Sequence, residues 1–275
     1  MHYFPLATKG KQDVNGVRGQ GGQPAARQYG RSGARPVCRE VDAMIGIVVP
    51  VHDEEECLDT CLRALRVAAA HPRLRGEGVE IVVALDACSD RSADIARRHR
   101  VTALALERRN VGAARAAGAR AALDAGARWL GFTDADSTVA PDWIASQLAL
   151  ASDVVCGTVE VRDWHGYSGD VQQRYLAAYS DAPGHRHIHG ANLGVASGAY
   201  VQAGGFPELC TGEDVALVRA LEASGASIAW TDLPRVVTSA RRRWRAPDGF
   251  GAYLAGLAGL PGPAAMASAA AGGVA

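Results

Sequence analysis

Hydrophobic and polar positions alternate between two periods along the middle of this chain. Ile45–Val51 is an apolar run of the kind a strand buried on both faces shows. From Glu54 to Ala70 the spacing turns helical, with Cys57, Leu58, Cys61, Leu62 and Leu65 on one stripe. Val79–Leu85 predicts a second strand, and Ser89 or Asp90 caps a helix running to His99. Val101–Leu106 predicts a third strand and Val111–Ala125 an alanine-rich helix. Arg128–Thr133 is the fourth strand, and Pro141 suits the first turn of a helix reaching Leu150. Val154–Val161 predicts one more strand. Such an order calls for an α/β fold, a mostly parallel sheet flanked by helices. Ligands of such sheets bind beyond the carboxyl ends of the strands.

After Val161 the pattern loosens. Trp164, Tyr167, Tyr175 and Tyr179 surround a polar segment read as helical. His185, His187 and His189 follow in a loop; they could grip a transition metal, but no second ligand cluster joins them, and a substrate-facing loop is the preferred reading. Gly190–Val195 and Gly204–Pro207 bracket a short helix. Glu213 and Asp214 open another helix bearing Val215, Leu217, Val218 and Leu221, where acidic residues also complement the helix dipole. A last helix is expected around Phe250–Leu260, as a cap on the domain rather than a weak membrane or partner contact.

Composition narrows the class. The 275 residues carry 29 Lys and Arg against 29 Asp and Glu, so no global field argues for nucleic acid. Six cysteines lack the spacing of a disulfide framework or a zinc site, which suggests reduced thiols and a cytoplasmic protein. Residues 1–43 hold seven Lys or Arg and three Asp or Glu, many Gly and Gln, and no apolar core of a secretory signal. They are expected to be a disordered extension, with Met44 as the biological start. The stretch 246–275 is expected to add the last helix and an Ala/Gly-rich tail, its prolines arguing against a membrane span.

Acidic residues gather where the strands end: Asp53 after the first, Asp86 after the second, Asp134 and Asp136 after the fourth. Two carboxylates at i and i+2 can converge on a hard divalent cation such as Mg²⁺ or Mn²⁺, which prefers oxygen ligands. Asp-x-Asp is also a common turn and helix cap. Several aspartates at one sheet edge are better explained by a site than by separate caps.

Six motifs in order resemble glycosyltransferase family 2, inverting enzymes of the GT-A fold, over roughly 45–245. Val49-Pro-Val-His-Asp-Glu-Glu55 is similar to its opening Pro-x-x-Asn/Asp-Glu. Leu85-Asp-Ala-Cys-Ser-Asp90 is similar to Asp-Asp-Gly-Ser-x-Asp, with Leu85 and Ala87 as departures. Asn110-Val-Gly-Ala-Ala-Arg115 resembles Asn-x-Gly-x-x-x-Arg with one residue fewer before the arginine, and Ala116 replaces the usual Asn. Asp134-Ala-Asp-Ser137 matches the Asp-x-Asp, His189–Phe206 resembles the acceptor-side segment, and Glu213-Asp214 the Glu-Asp pair.

The resemblance implies a GT-A, Rossmann-like nucleotide-diphospho-sugar transferase domain over 44–245. It implies transfer from a nucleoside-diphosphate sugar to an acceptor hydroxyl, with Mg²⁺ or Mn²⁺ on Asp136 and Asp134, and Asp134 alternatively on the ribose or sugar. Asp214 would be the base, supported by Glu213. Pro50, His52, Asp53, Glu54, Asp86 and Arg115 would line the donor site, with a solvated helix face as the other reading of Arg115. Arg243-Trp244 resembles part of the processive synthases' Gln-x-x-Arg-Trp, but Ala240 stands in place of the Gln, so single transfer is expected. One of Arg235, Arg241, Arg242, Arg243 and Arg245 would meet the diphosphate. A non-catalytic nucleotide-sugar-binding protein is the alternative. Placement is expected in the cytoplasm, with peripheral contact at the membrane's inner face left open. A nucleotidyltransferase or dinucleotide dehydrogenase is disfavoured, because no Gly-rich phosphate loop follows the first strand.

Overall fold

The computed structural model describes residues 44–241 and 249–260. The readings of 1–43 as disordered, of Arg242, Arg243, Trp244 and Arg245, and of the 261–275 tail lie outside the described residues.

The apolar runs become β1 (Met44–Val51), β2 (Gly78–Asp86), β3 (Thr102–Leu106) and β4 (Ala127–Phe132). Between them lie α1 (Leu58–Ala69), α2 (Ser92–Arg98) and α3 (Val111–Asp124). β1 pairs in parallel with β2 and β4, and β2 with β3. Pairing of β1 with β4 ends at Val48, so Pro50 removes no ladder bond on that side. α3 lies close against β1, because a Cβ on Gly118 would come within 2.4 Å of Val48 Cγ1. α1 starts at Leu58 rather than at Glu54, whose N–H is taken by Ser92 Oγ at 2.9 Å and whose carbonyl accepts the Leu58 N–H at 2.9 Å.

Beyond β4 come β5 (Thr138–Val139), α4 (Trp143–Ala149), β6 (Val154–Gly157), β7 (Glu160–Val161), α5 (Gly169–Ala178), β8 (Leu193–Ala196) and α6 (Ser197–Gln202). α7 (Glu213–Ala223), β9 (Ile228–Thr231), β10 (Val236–Thr238) and α8 (Phe250–Leu257) complete the described chain. The main sheet runs β3-β2-β1-β4-β8-β6-β9, with β8 antiparallel to both neighbours. The expected strand 154–161 is therefore two. Asn192 is the cause: its Nδ2 donates to the carbonyls of Thr158 and Pro234 at 2.7 Å, and its Oδ1 accepts from Trp143 Nε1 at 2.8 Å. The chain turns at Thr158 and re-pairs as β7 in a small second sheet, β5-β10-β7.

Two apolar clusters fill the faces of the main sheet, one built on Ile47, Leu62 and Trp143, the other on Val48, Phe132 and Leu217. A third joins α5 to α8 through Tyr175 and Leu254, so α8 lies against the domain. Among the described residues no helix is long and apolar enough to cross a membrane.

Candidate active site

The parallel strands deliver their polar residues to one edge. Asp86 closes β2 as a buried carboxylate that accepts backbone N–H bonds from Arg108 (2.6 Å), Arg109 (2.9 Å) and Asn110 (2.7 Å). Burial pushes its pKa up, but the N–H donors outweigh it and hold the group below its ordinary value. His52 Nδ1 lies 2.7 Å from the Asp86 carbonyl oxygen. Asp53 bends the chain after β1 at φ 52° and accepts from the N–H groups of Ser89 (2.6 Å) and Asp90 (3.2 Å), and chiefly the Ser89 bond lowers its pKa. Ala87 also holds φ 52°, which explains why the resembled motif has glycine there.

Arg115 is not a solvated helix face. It is 5% exposed and joins two motifs, one guanidinium nitrogen on Asp134 at 2.5 Å and the other on Glu213, itself 5% exposed. The Gly190 backbone lies against the guanidinium, where a Cβ would stand 2.4 Å from it. Next to this pair, Asp214 Oδ2 accepts the Gly190 N–H and Oδ1 the Val215 N–H, both at 2.8 Å. Glu213 is thus buried in an ion pair, while the neighbouring Asp214 is half-buried at the start of α7.

Asp136 faces a different cation. The second sheet carries residues 238–241 onto the Asp134–Ser137 turn, where Ser137 Oγ meets Thr238 Oγ1 at 3.1 Å. Arg241 then grips Glu54 through two bonds of 2.5 Å and reaches Asp136 Oδ2 at 3.2 Å. The two aspartates of Asp-x-Asp are thereby drawn to separate arginines. Among the described residues, Arg115 thus pairs with Asp134 and Glu213, and Arg241 with Glu54 and Asp136. The Asp136 pKa is pushed up to about 7, chiefly by burial, against Arg241 and with Asp134 and Glu54 adding to the rise. The carboxylate oxygens of Asp134 and Asp136 are donors of the kind that Mg²⁺ or Mn²⁺ takes. Among the described residues, the three potential ligand atoms that do lie within 4.8 Å of one another come from Asp53, Cys88 and Asp90. Both of these carboxylates already accept backbone N–H bonds around the Asp53–Ser92 turn.

The histidine loop is a ring stack. Tyr179 stacks on His187 at 4.2 Å, and His187 lies 5.6 Å from His185 and 6.0 Å from His189. Tyr179 Oη accepts the Val159 N–H at 2.8 Å and lies 3.0 Å from His189 Nε2. His185 Nε2 meets the Thr231 carbonyl and His187 Nε2 the Ser180 N–H. Burial lowers the His189 pKa to about 4, keeping it neutral. Of the candidate arginines, Arg235 pairs with Asp181 and Asp232, so Arg241 is the described one that reaches the acidic edge.

Sequence reasoning named these acids but missed the Glu54–Arg241 clamp, whose members lie 187 positions apart. It also missed Asn192 as the corner of the fold and the Gly190 N–H as the anchor of Asp214. No periodicity marks such residues; only the glycine at position 190 hinted at a close approach.

The sequence model of Glycosyl transferase family 2 matches residues 46–201, more than half of the chain. No curated protein matches it in sequence. Among solved structures, TarS 1–349 of S. aureus in complex with UDP-GlcNAc is similar with TM-score 0.56 and 15% identity, over 75% of this chain and 61% of that one. The mannosyltransferase PcManGT of Pyrobaculum calidifontis, in complex with GDP-Man and Mn²⁺, gives TM-score 0.56 and 19% identity over 84% and 76%. GalNAc-T7 with UDP, GalNAc and Mn²⁺ gives 0.52 and 17% over 72% and 44%. The chain spans less than two thirds of the TarS structure. At these identities the likeness is one of fold, and that fold is GT-A, as the sequence motifs implied.

Proposed function

The chain belongs to glycosyl transferase family 2, and from that premise we propose that it moves a sugar from a nucleoside-diphosphate sugar to an acceptor hydroxyl, with inversion and in a single transfer. The observation that carries the reading is the division of labour at the head of α7. Arg115 binds Glu213 and Asp134 together, and Asp214 is left half-buried beside Gly190.

In this reading Asp214 takes the proton from the acceptor hydroxyl as its oxygen attacks the anomeric carbon. The Gly190 and Val215 N–H groups aim its carboxylate, and Glu213 supports it by fixing the first turn of the helix. On the donor side, Asp86 has used three of about four acceptor positions on backbone N–H groups, which leaves one for a base N–H. His52, tied to the Asp86 carbonyl, and Asp53 with Pro50 line the adjoining base and ribose pocket. Arg115 acts through Asp134, which is 34% exposed and open to a donor hydroxyl. Asp136, with Asp134 beside it, would hold Mg²⁺ or Mn²⁺, whose charge stabilises the departing diphosphate. UDP- and GDP-sugars, the ligands named in the TarS and PcManGT structures, are the donor classes to try first.

The test is Asp214→Asn. Transfer or hydrolysis of UDP-GlcNAc and GDP-mannose with Mn²⁺ is expected to fall by about 10²–10⁴-fold. UDP and GDP affinity, read by calorimetry, should stay within about threefold, and the product anomer should be inverted. Near-wild-type turnover in the variant would remove Asp214 as the base. Nucleotide-sugar binding without turnover in the wild type would favour a non-catalytic binding protein.

A further inference from the structure

Arg241 does something that the transfer reading does not call for. Its guanidinium holds Glu54 bidentate at 2.5 Å, and the Nη2 of that pair also lies 3.2 Å from Asp136 Oδ2. The grip is well built: the Glu54 side chain is 8% exposed and Asp136 16%, so solvent screens these charges little. Bidentate arginine–carboxylate pairing in such a setting is among the stronger ion contacts a protein makes. Yet Asp136 is the carboxylate on which the proposed divalent ion depends. A +2 ion on Asp136 would share that carboxylate with a guanidinium, and like charges so placed repel.

We propose that Arg241 is an autoinhibitory counter-ion, standing in for the divalent cation at Asp136 and released when that cation binds. The exchange links two distant parts of the chain. Glu54 sits at the turn after β1, and Arg241 lies three residues beyond β10. Loading the metal therefore loosens residues 239–241 from the turn 134–137, and tightening that contact weakens the metal. By linkage the two effects are equal in size. Arg115 does not exchange in this way, because both of its working nitrogens bind Asp134 and Glu213 and leave Asp136 alone. The inference rests on the reading of Asp136 as a metal carboxylate.

Mn²⁺ alone is the probe. Its affinity, from the loss of the free-ion electron paramagnetic resonance signal, is compared in wild type, Arg241→Gln and Arg241→Lys, with circular dichroism confirming the fold. Arg241→Gln is expected to bind Mn²⁺ about tenfold tighter, corresponding to about 1.4 kcal/mol of relieved competition. Arg241→Lys keeps the charge and should stay within about threefold of wild type. Equal or weaker binding by Arg241→Gln overturns the counter-ion role and leaves the metal reading intact. No Mn²⁺ binding by any of the three proteins overturns both. Should Arg241→Gln not fold, wild type still decides. Titration with diamagnetic Mg²⁺ should shift the Arg241 guanidinium ¹⁵N resonance, assigned by its absence from Arg241→Lys, and leave that of Arg115 in place. Saturable Mg²⁺ binding without that shift would refute the exchange.

Discussion

Replacing Arg115 with Met should destabilise the protein far more than a single charge at a surface would. Arg115 and Glu213 are each 5% exposed, so the substitution leaves the Glu213 carboxylate buried without its cation. Asp134, at 34% exposure, regains water and adds little. Methionine keeps most of the apolar stem beside Phe206, whose ring centre lies 5.8 Å from the guanidinium carbon, so the cavity contribution is small. Stranding one member of a buried ion pair costs about 3–5 kcal/mol. For a domain of this size each kcal/mol lowers Tm by about 2–4 °C, which gives an expected fall of about 6–20 °C. The double variant Arg115→Met/Glu213→Gln removes both charges and should recover most of that loss, because a buried pair and an uncharged replacement are often close in stability. Thermal unfolding at pH 7, with urea melts for the free energy, measures both. A single variant losing less than about 1 kcal/mol, or a double variant no more stable than the single, would refute the claim that these residues act as one buried unit.

Two further outcomes follow from the same structure. Asp86→Asn should cost about 2–4 kcal/mol at neutral pH, because three N–H donors lose a charged acceptor. Its folded pKa is depressed, so the wild-type advantage is complete above the ordinary value of 3.8 and fades as pH drops through the lower folded value; urea melts of both proteins from pH 7 to pH 2.5 should converge at the acid end. Asn192→Leu should cost on the order of 3 kcal/mol or more, since it strands Trp143 Nε1 and the Thr158 and Pro234 carbonyls, and equilibrium denaturation within 1 kcal/mol of wild type would contradict that.

The half of the fold up to α4, apart from the two-residue β5, was legible in the sequence because its elements are local and mostly long. An apolar run such as Ile45–Val51 has one way to be buried on both faces, and a stripe such as Leu58–Leu65 one way to meet it. The second half was less so. β8, β9 and β10 are three or four residues long and owe their existence to partners far away in the chain. Short strands carry too few residues for a period to show, and their pairing is decided by what the rest of the core leaves open. The site divides along the same line. Asp53, Asp86, Asp134, Asp136 and Asp214 could be named because carboxylates at strand ends and a helix start form a pattern. Their partners could not.

By itself the sequence determined the alternation of strand and helix to β4, the edge at which the acids collect, and the family to which the chain belongs. Only the tertiary structure decided how those acids are shared out: Asp134 and Glu213 to Arg115, Asp136 and Glu54 to Arg241, Asp214 to the backbone of Gly190. The reason is physical. Periodicity and local turns are properties of neighbours in sequence, whereas a buried charge takes whichever counter-charge the packed chain brings within reach, here from as far as 187 positions away.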